Sequence, residues 1–111
     1  MGDEHWLRAR DPQAYRTLRP TIAEWLRARP SYVAESGGRD FLLKDPSNAG
    51  GWDHDVRIML EPAAIYVLVS MRGVALSRDV RALHEWLRQR TPIELVDDAG
   101  EPIEPVELFG R

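Results

Sequence analysis

The sequence predicts an α+β fold: a single domain with two main helices packed on one face of a mostly antiparallel sheet of about five to six strands. Three observations predict it. Two short stretches nearly repeat each other, Glu24-Trp25-Leu26-Arg27-Ala28-Arg29 and Glu85-Trp86-Leu87-Arg88-Gln89-Arg90, and each closes an amphipathic segment just before a proline, Pro30 or Pro92. Val56, Ile58 and Leu60 on one face alternate with Asp55, Arg57 and Glu61 on the other, the period of a half-buried strand. Gly- and Asp-rich turns separate β-prone runs. The resulting order is helix, hairpin, hairpin, helix, hairpin.

Residues 1–10 mix charge with Trp6 and Leu7 and are expected as a flexible N-terminal segment, leaving 11–111 as the domain. Asp11-Pro12 is a helix start, with Asp as N-cap and Pro at the first position, where its missing N–H costs nothing. Pro20 is expected to break or kink this segment, with a second start at Thr21 and Glu24 at the capping-box spacing. Leu18, Ile22, Trp25 and Leu26 give one apolar face.

Ser31 to Glu35 and Asp40 to Lys44 read as strands around the turn Ser36-Gly37-Gly38. The stretch 45–51 is the clearest loop. Trp52 to Glu61 reads as the next strand, and Ala64 to Met71, apolar on both faces, as a central one. Ser77 is the expected N-cap of the second helix, whose stripe is Val80, Leu83, Trp86 and Leu87. Ile93 to Val96 and Ile103 to Leu108 form a last hairpin, its final strand pushed to an edge by Pro102 and Pro105.

The apolar share of 43% and charged share of 30% belong to a globular chain rather than a disordered one. Without cysteine there are no disulfides or thiolate metal sites. The weakly polar run 62–71 is far short of the ~20 residues that cross a bilayer. Met1-Gly2-Asp3-Glu4 lacks the basic start of a secretory signal, so no membrane association and a cytoplasmic location are expected. A net charge of −3 argues against nucleic acid as partner. Lys44 stands alone beside fourteen arginines, a composition that fits a GC-rich bacterial genome.

The repeat, five identities in six positions, reads either as an internal duplication or as convergence on a good helix ending, its tryptophans facing the sheet. Asp53-His54-Asp55 is the densest polar cluster, yet alternation on a strand sends the carboxylates and the imidazole to opposite sides. His5 and His84 are too far away in sequence to complete a ligand set, so no metal is expected. No serine or cysteine motif accompanies His84, and neither Gly37-Gly38 nor Gly50-Gly51 extends to a phosphate-binding pattern. No catalytic residue and no cofactor are therefore assigned. Arg78, Arg81 and Arg88 read as a solvated helix face.

Residues 91–111 carry six acids against Arg111 alone. That zone suits a basic protein partner, such as a toxin or nuclease domain. The expected contact residues are Asp97, Asp98, Glu101 and Glu104, with Trp52 and Trp6 as aromatic anchors on less regular segments. The function expected is an immunity or antitoxin-type inhibitor. The alternatives are a small enzyme with an acidic cleft near residues 52–55, and a homodimeric structural or regulatory domain.

Overall fold

Alternating inward side chains set the sheet. The computed structural model describes residues 3–45, 55–69 and 74–104. Its elements are β1 (Asp3–Ala9), α1 (Pro12–Arg27), β2 (Tyr32–Ser36), β3 (Asp40–Leu43), β4 (Val56–Leu60), β5 (Ala64–Val69), α2 (Val74–Arg88) and β6 (Ile93–Asp97). They form a six-stranded sheet in the order β2-β3-β4-β5-β1-β6, every neighbouring pair antiparallel. The radius of gyration, 13.2 Å, is that of one compact domain of this length.

Because β5 and β6 both run antiparallel to β1, they are parallel to each other, and α2 carries the chain over β1 between them. Helix α1 carries it from β1 to β2 at the far edge. Leu7 and Ala9, Phe41 and Leu43, Val56, Ile58 and Leu60, Ile65 and Val67, and Leu95 all point to one face. There they meet Tyr15, Ile22, Ala23 and Leu26 of α1 and Val80, Leu83 and Leu87 of α2. Burying this set supplies the main driving force, at about 1.5–3 kcal/mol for each large apolar side chain.

Three expectations change. The first ten residues contribute a full strand from Asp3 on, with β1 flanked on both sides by β5 and β6. Its alternation is real but disguised, since the inward positions are His5, Leu7 and Ala9 rather than three large apolar residues. Helix α1 runs unbroken through Pro20. The proline is exposed, while Ile22, Ala23 and Leu26 beyond it are buried against the sheet. Their burial outweighs a cost of about 3 kcal/mol for an interior proline. Helix α2 starts at Val74, ahead of the expected Ser77.

Asp11 does cap α1, its Oδ1 accepting from the Ala14 N–H at 3.1 Å. The β2–β3 turn closes with Arg39 N–H to Ser36 O at 3.2 Å and positive φ at Gly37 (63°) and Gly38 (66°), a pairing that matches strand twist and that glycine adopts without strain. Tyr15 ties α1 to the β4–β5 turn by donating to the Glu61 carbonyl at 2.7 Å, with the Ala64 carbonyl 3.0 Å away. Burial, the largest influence, pushes its phenol well above the usual range. Of the last hairpin, the structure gives the Val96–Pro102 bridge and the Ile103 N–H bond to Leu95 O at 2.9 Å, while 105–108 lie outside the described residues.

Candidate functional site

With both helices on one face, no helix among the described residues covers the other face of the sheet. Across it, register aligns Asp40, Met59, Tyr66, Trp6 and Val96 in one row spanning β3, β4, β5, β1 and β6. Trp6 packs on Tyr66 with ring centroids 4.7 Å apart and planes inclined by 51°. Burial first, and then the hydrogen bond to Glu4, push the Tyr66 phenol up, and its hydroxyl donates to that carboxylate. Arg57 forks onto Asp40 with contacts of 2.6 and 3.0 Å, closing one end of the row.

At the other end lies a groove of about 390 Å³. Trp6, Arg8, Ala64 and Val96 belong to its strand wall, and Asp97, Asp98, Ala99 and Gly100 to its turn wall. Three of the expected contact residues, Trp6, Asp97 and Asp98, are thus brought together from opposite ends of the chain. Asp97 differs from the others in what it does. Its Oδ1 accepts from the N–H groups of Ala99 and Glu101, both at 2.9 Å, and its own N–H donates to Glu101 O at 2.9 Å. Asp97 therefore shapes the turn, and Asp98 and Glu101 carry the exposed charge. Glu104 is exposed just beyond the Val96–Pro102 bridge. Arg8 and Arg10 both hold Glu94, at 2.8 and 3.1 Å, which removes that acid from the surface field.

A scan against protein-family models, a search of curated proteins and a search of solved structures each return no match to this chain. The site is therefore read from its own geometry. Trp52, Asp53 and His54 lie outside the described residues. Asp55, expected on the polar side of the strand, is instead buried, because its Oδ2 accepts from the Asp45 N–H at 3.0 Å and ties together the two ends of the 46–54 stretch. His84 is also buried, and burial lowers its pKa, with Arg88 adding to the effect. Among the described residues no three His, Asp or Glu side chains gather as a metal set, and no helix is long and apolar enough to cross a membrane.

Met59 and Tyr66 are surface residues that sequence reasoning missed. The signal was present in strict alternation around them. For Tyr66 it was hidden because Ala64 to Met71 looked apolar on both faces and so wholly interior, and for Met59 because an apolar side chain stands at an outward position of the 56–60 alternation.

The repeated helix endings meet. Trp25 and Trp86 stand 5.7 Å apart, planes inclined by 31°, both half-buried. Arg29 lies 4.0 Å over the Trp25 ring and donates from Nε to the Trp25 carbonyl at 3.0 Å. Arg90 lies 4.3 Å over the Trp86 ring and donates from Nη1 to the Trp86 carbonyl at 3.0 Å. The tryptophans, expected to face the sheet, face each other between the helices. The leucines that follow them, Leu26 and Leu87, take the sheet-facing positions and are fully buried. An indole at that boundary buries one face on its neighbour and offers the other to a cation.

Proposed function

We propose that this chain is a small protein-binding domain that receives a basic partner on the face of its sheet opposite the two helices. Its most concrete form is an immunity or antitoxin-type inhibitor that neutralises a bacterial toxin by direct binding. The observation that carries the reading is the groove joining Trp6 to the acidic turn, on a sheet face that no helix among the described residues covers. Trp6 and Tyr66 are amphipathic anchors of the kind that dominate interface energetics. Asp98, Glu101 and Glu104 supply a field that steers a basic protein and fixes its orientation. Met59 extends the apolar row toward the Arg57–Asp40 pair, which would form part of a polar rim.

The experiment cross-links the chain to its partner in the source cell and then measures binding to the recovered partner. Parent, Trp6→Ala and Asp98→Lys/Glu101→Lys proteins are compared by stopped flow and calorimetry. Expected are a one-to-one complex with a basic domain, association that slows with salt and with charge reversal, and faster dissociation for Trp6→Ala. Asp97 is left intact because its loss would deform the turn. Unchanged rates and affinity in both variants would remove this face from consideration.

A further inference from the structure

A second groove, of about 420 Å³, lies between α1 and the β2–β3 turn, lined by Arg16, Arg19, Arg27 and Arg39 together with Pro20 and Glu24. Elsewhere several guanidinium groups are spoken for, although Arg78 and Arg88, spread along α2, have no carboxylate or ring partner among the described residues. Arg8 and Arg10 hold Glu94, Arg57 holds Asp40, Arg81 holds Glu85, and Arg29 and Arg90 lie on tryptophan rings. Arg27 is forked onto Glu35, which also accepts from the Tyr32 hydroxyl at 3.0 Å. Arg16, Arg19 and Arg39 have neither a carboxylate nor a ring partner among the described residues. Three such cations around one concavity, in a chain of net charge −3, repel one another until an anion arrives.

We propose that this groove binds the phosphate groups of a small polyphosphorylated ligand, the size of pyrophosphate or a nucleoside diphosphate. Arg16, Arg19 and Arg39 are its cationic contacts and Arg27 is a fixed wall. Arginine forks match phosphate oxygens in pairs, and three of them suit a multiply charged anion. Gly38 belongs to the groove because the tight turn there needs a left-handed backbone, and a side chain at that position would only touch Arg27 in ordinary contact. A Cβ at Gly38 would stand 3.6 Å from Arg27 Nη2, and φ there is +66°. Pro20 has no N–H to donate to the carbonyl four residues back, so the helix wall of the groove carries one helical donor fewer. The groove's small volume and the acid in its wall favour a compact ligand over a nucleic-acid strand.

The test is an amide chemical-shift titration with inorganic pyrophosphate, adenosine diphosphate and single-stranded RNA of two lengths in separate arms, repeated on Arg16→Gln/Arg39→Gln. Both side chains are exposed, and the variant is expected to melt at or above the parent temperature because like charges are removed. Expected are shifts confined to residues 16–27 and 36–40, and binding weakened about tenfold or more in the variant. Tighter binding of the nucleotide would assign the base to the groove as well; equal binding would assign phosphate alone. Three results would overturn the proposal. They are no shift at millimolar ligand, shifts that persist unchanged in the variant, and tighter binding of single-stranded RNA with affinity rising with length.

Discussion

Replacing Trp25 and Trp86 by alanine, singly and together, tests whether the repeated helix endings work as one clasp. Both rings are half-buried, so each truncation forfeits about half of the 3–5 kcal/mol that a fully buried aromatic is worth. Each also strips an arginine of its ring, a loss of about 0.5–1 kcal/mol at an exposed site. The single variants should therefore cost about 2–3.5 kcal/mol before any loss of the ring pair. Their 5.7 Å separation lies within the favourable range for aromatic pairs, and such pairs contribute about 0.5–1.5 kcal/mol beyond area. The double variant should accordingly be less destabilised than the sum of the singles, by that amount. Urea unfolding followed by far-ultraviolet circular dichroism gives the cycle, provided the urea slope m stays constant across the four proteins. A coupling below about 0.3 kcal/mol, the scatter of independent sites, would refute the clasp. The tryptophans would then be two unrelated boundary residues.

Two further predictions follow from single groups. Tyr15→Phe deletes the hydroxyl that reaches the β4–β5 turn; the Ala64 carbonyl keeps its bond from the Glu61 N–H, so the cost should be about 1 kcal/mol, read as a fall of about 4 °C in melting temperature. His84 titrates lower in the folded chain than in the unfolded one, because burial disfavours the imidazolium. Its contribution is thus fully present above the unfolded pKa, near 6.5, and is lost as pH falls toward the folded value. Melting temperatures taken between pH 7.5 and 5 should decline more steeply for the parent than for His84→Gln, and parallel profiles would show that another group sets the slope.

Much of the architecture was legible because it rests on local chemistry. The Asp11-Pro12 helix start, the paired glycines at 37 and 38, and the alternation of Val56, Ile58 and Leu60 each specify their own geometry. What was not legible depends on partners distant in sequence. The strand character of 3–9 becomes decisive only once Leu7 meets Ile65 on one side and Leu95 on the other. The continuity of α1 through Pro20 depends on the sheet beneath Ile22 and Leu26, which local propensity does not contain. The groove at Trp6 is partly legible in the same sense. Aromatic and acidic residues marked themselves by type, but only the β1–β6 register brings them to one wall.

How the sheet ends determines how a partner can engage it. Strand β2 lies at one edge, and an exposed Val33 (49%) there offers a place for another strand to pair. Its register shifts between Tyr32 and Ala34, however, and Arg27 and Tyr32 converge on Glu35 beside it. A bulge and a charged cluster of this kind interrupt the flat run of N–H and C=O groups that strand addition needs. At the opposite edge, β6 is shielded by the Val96–Pro102 bridge and by Ile103, whose N–H is bonded to Leu95. Backbone pairing is therefore discouraged at both edges, and the clasp of Trp25 and Trp86 helps to close the helical side. The surface that remains is the side-chain row from Met59 to Trp6 and the acidic turn next to it. Recognition through that face depends on side-chain identity. If a partner instead added a strand to β2, Trp6→Ala would leave its affinity unchanged while Val33→Pro abolished it.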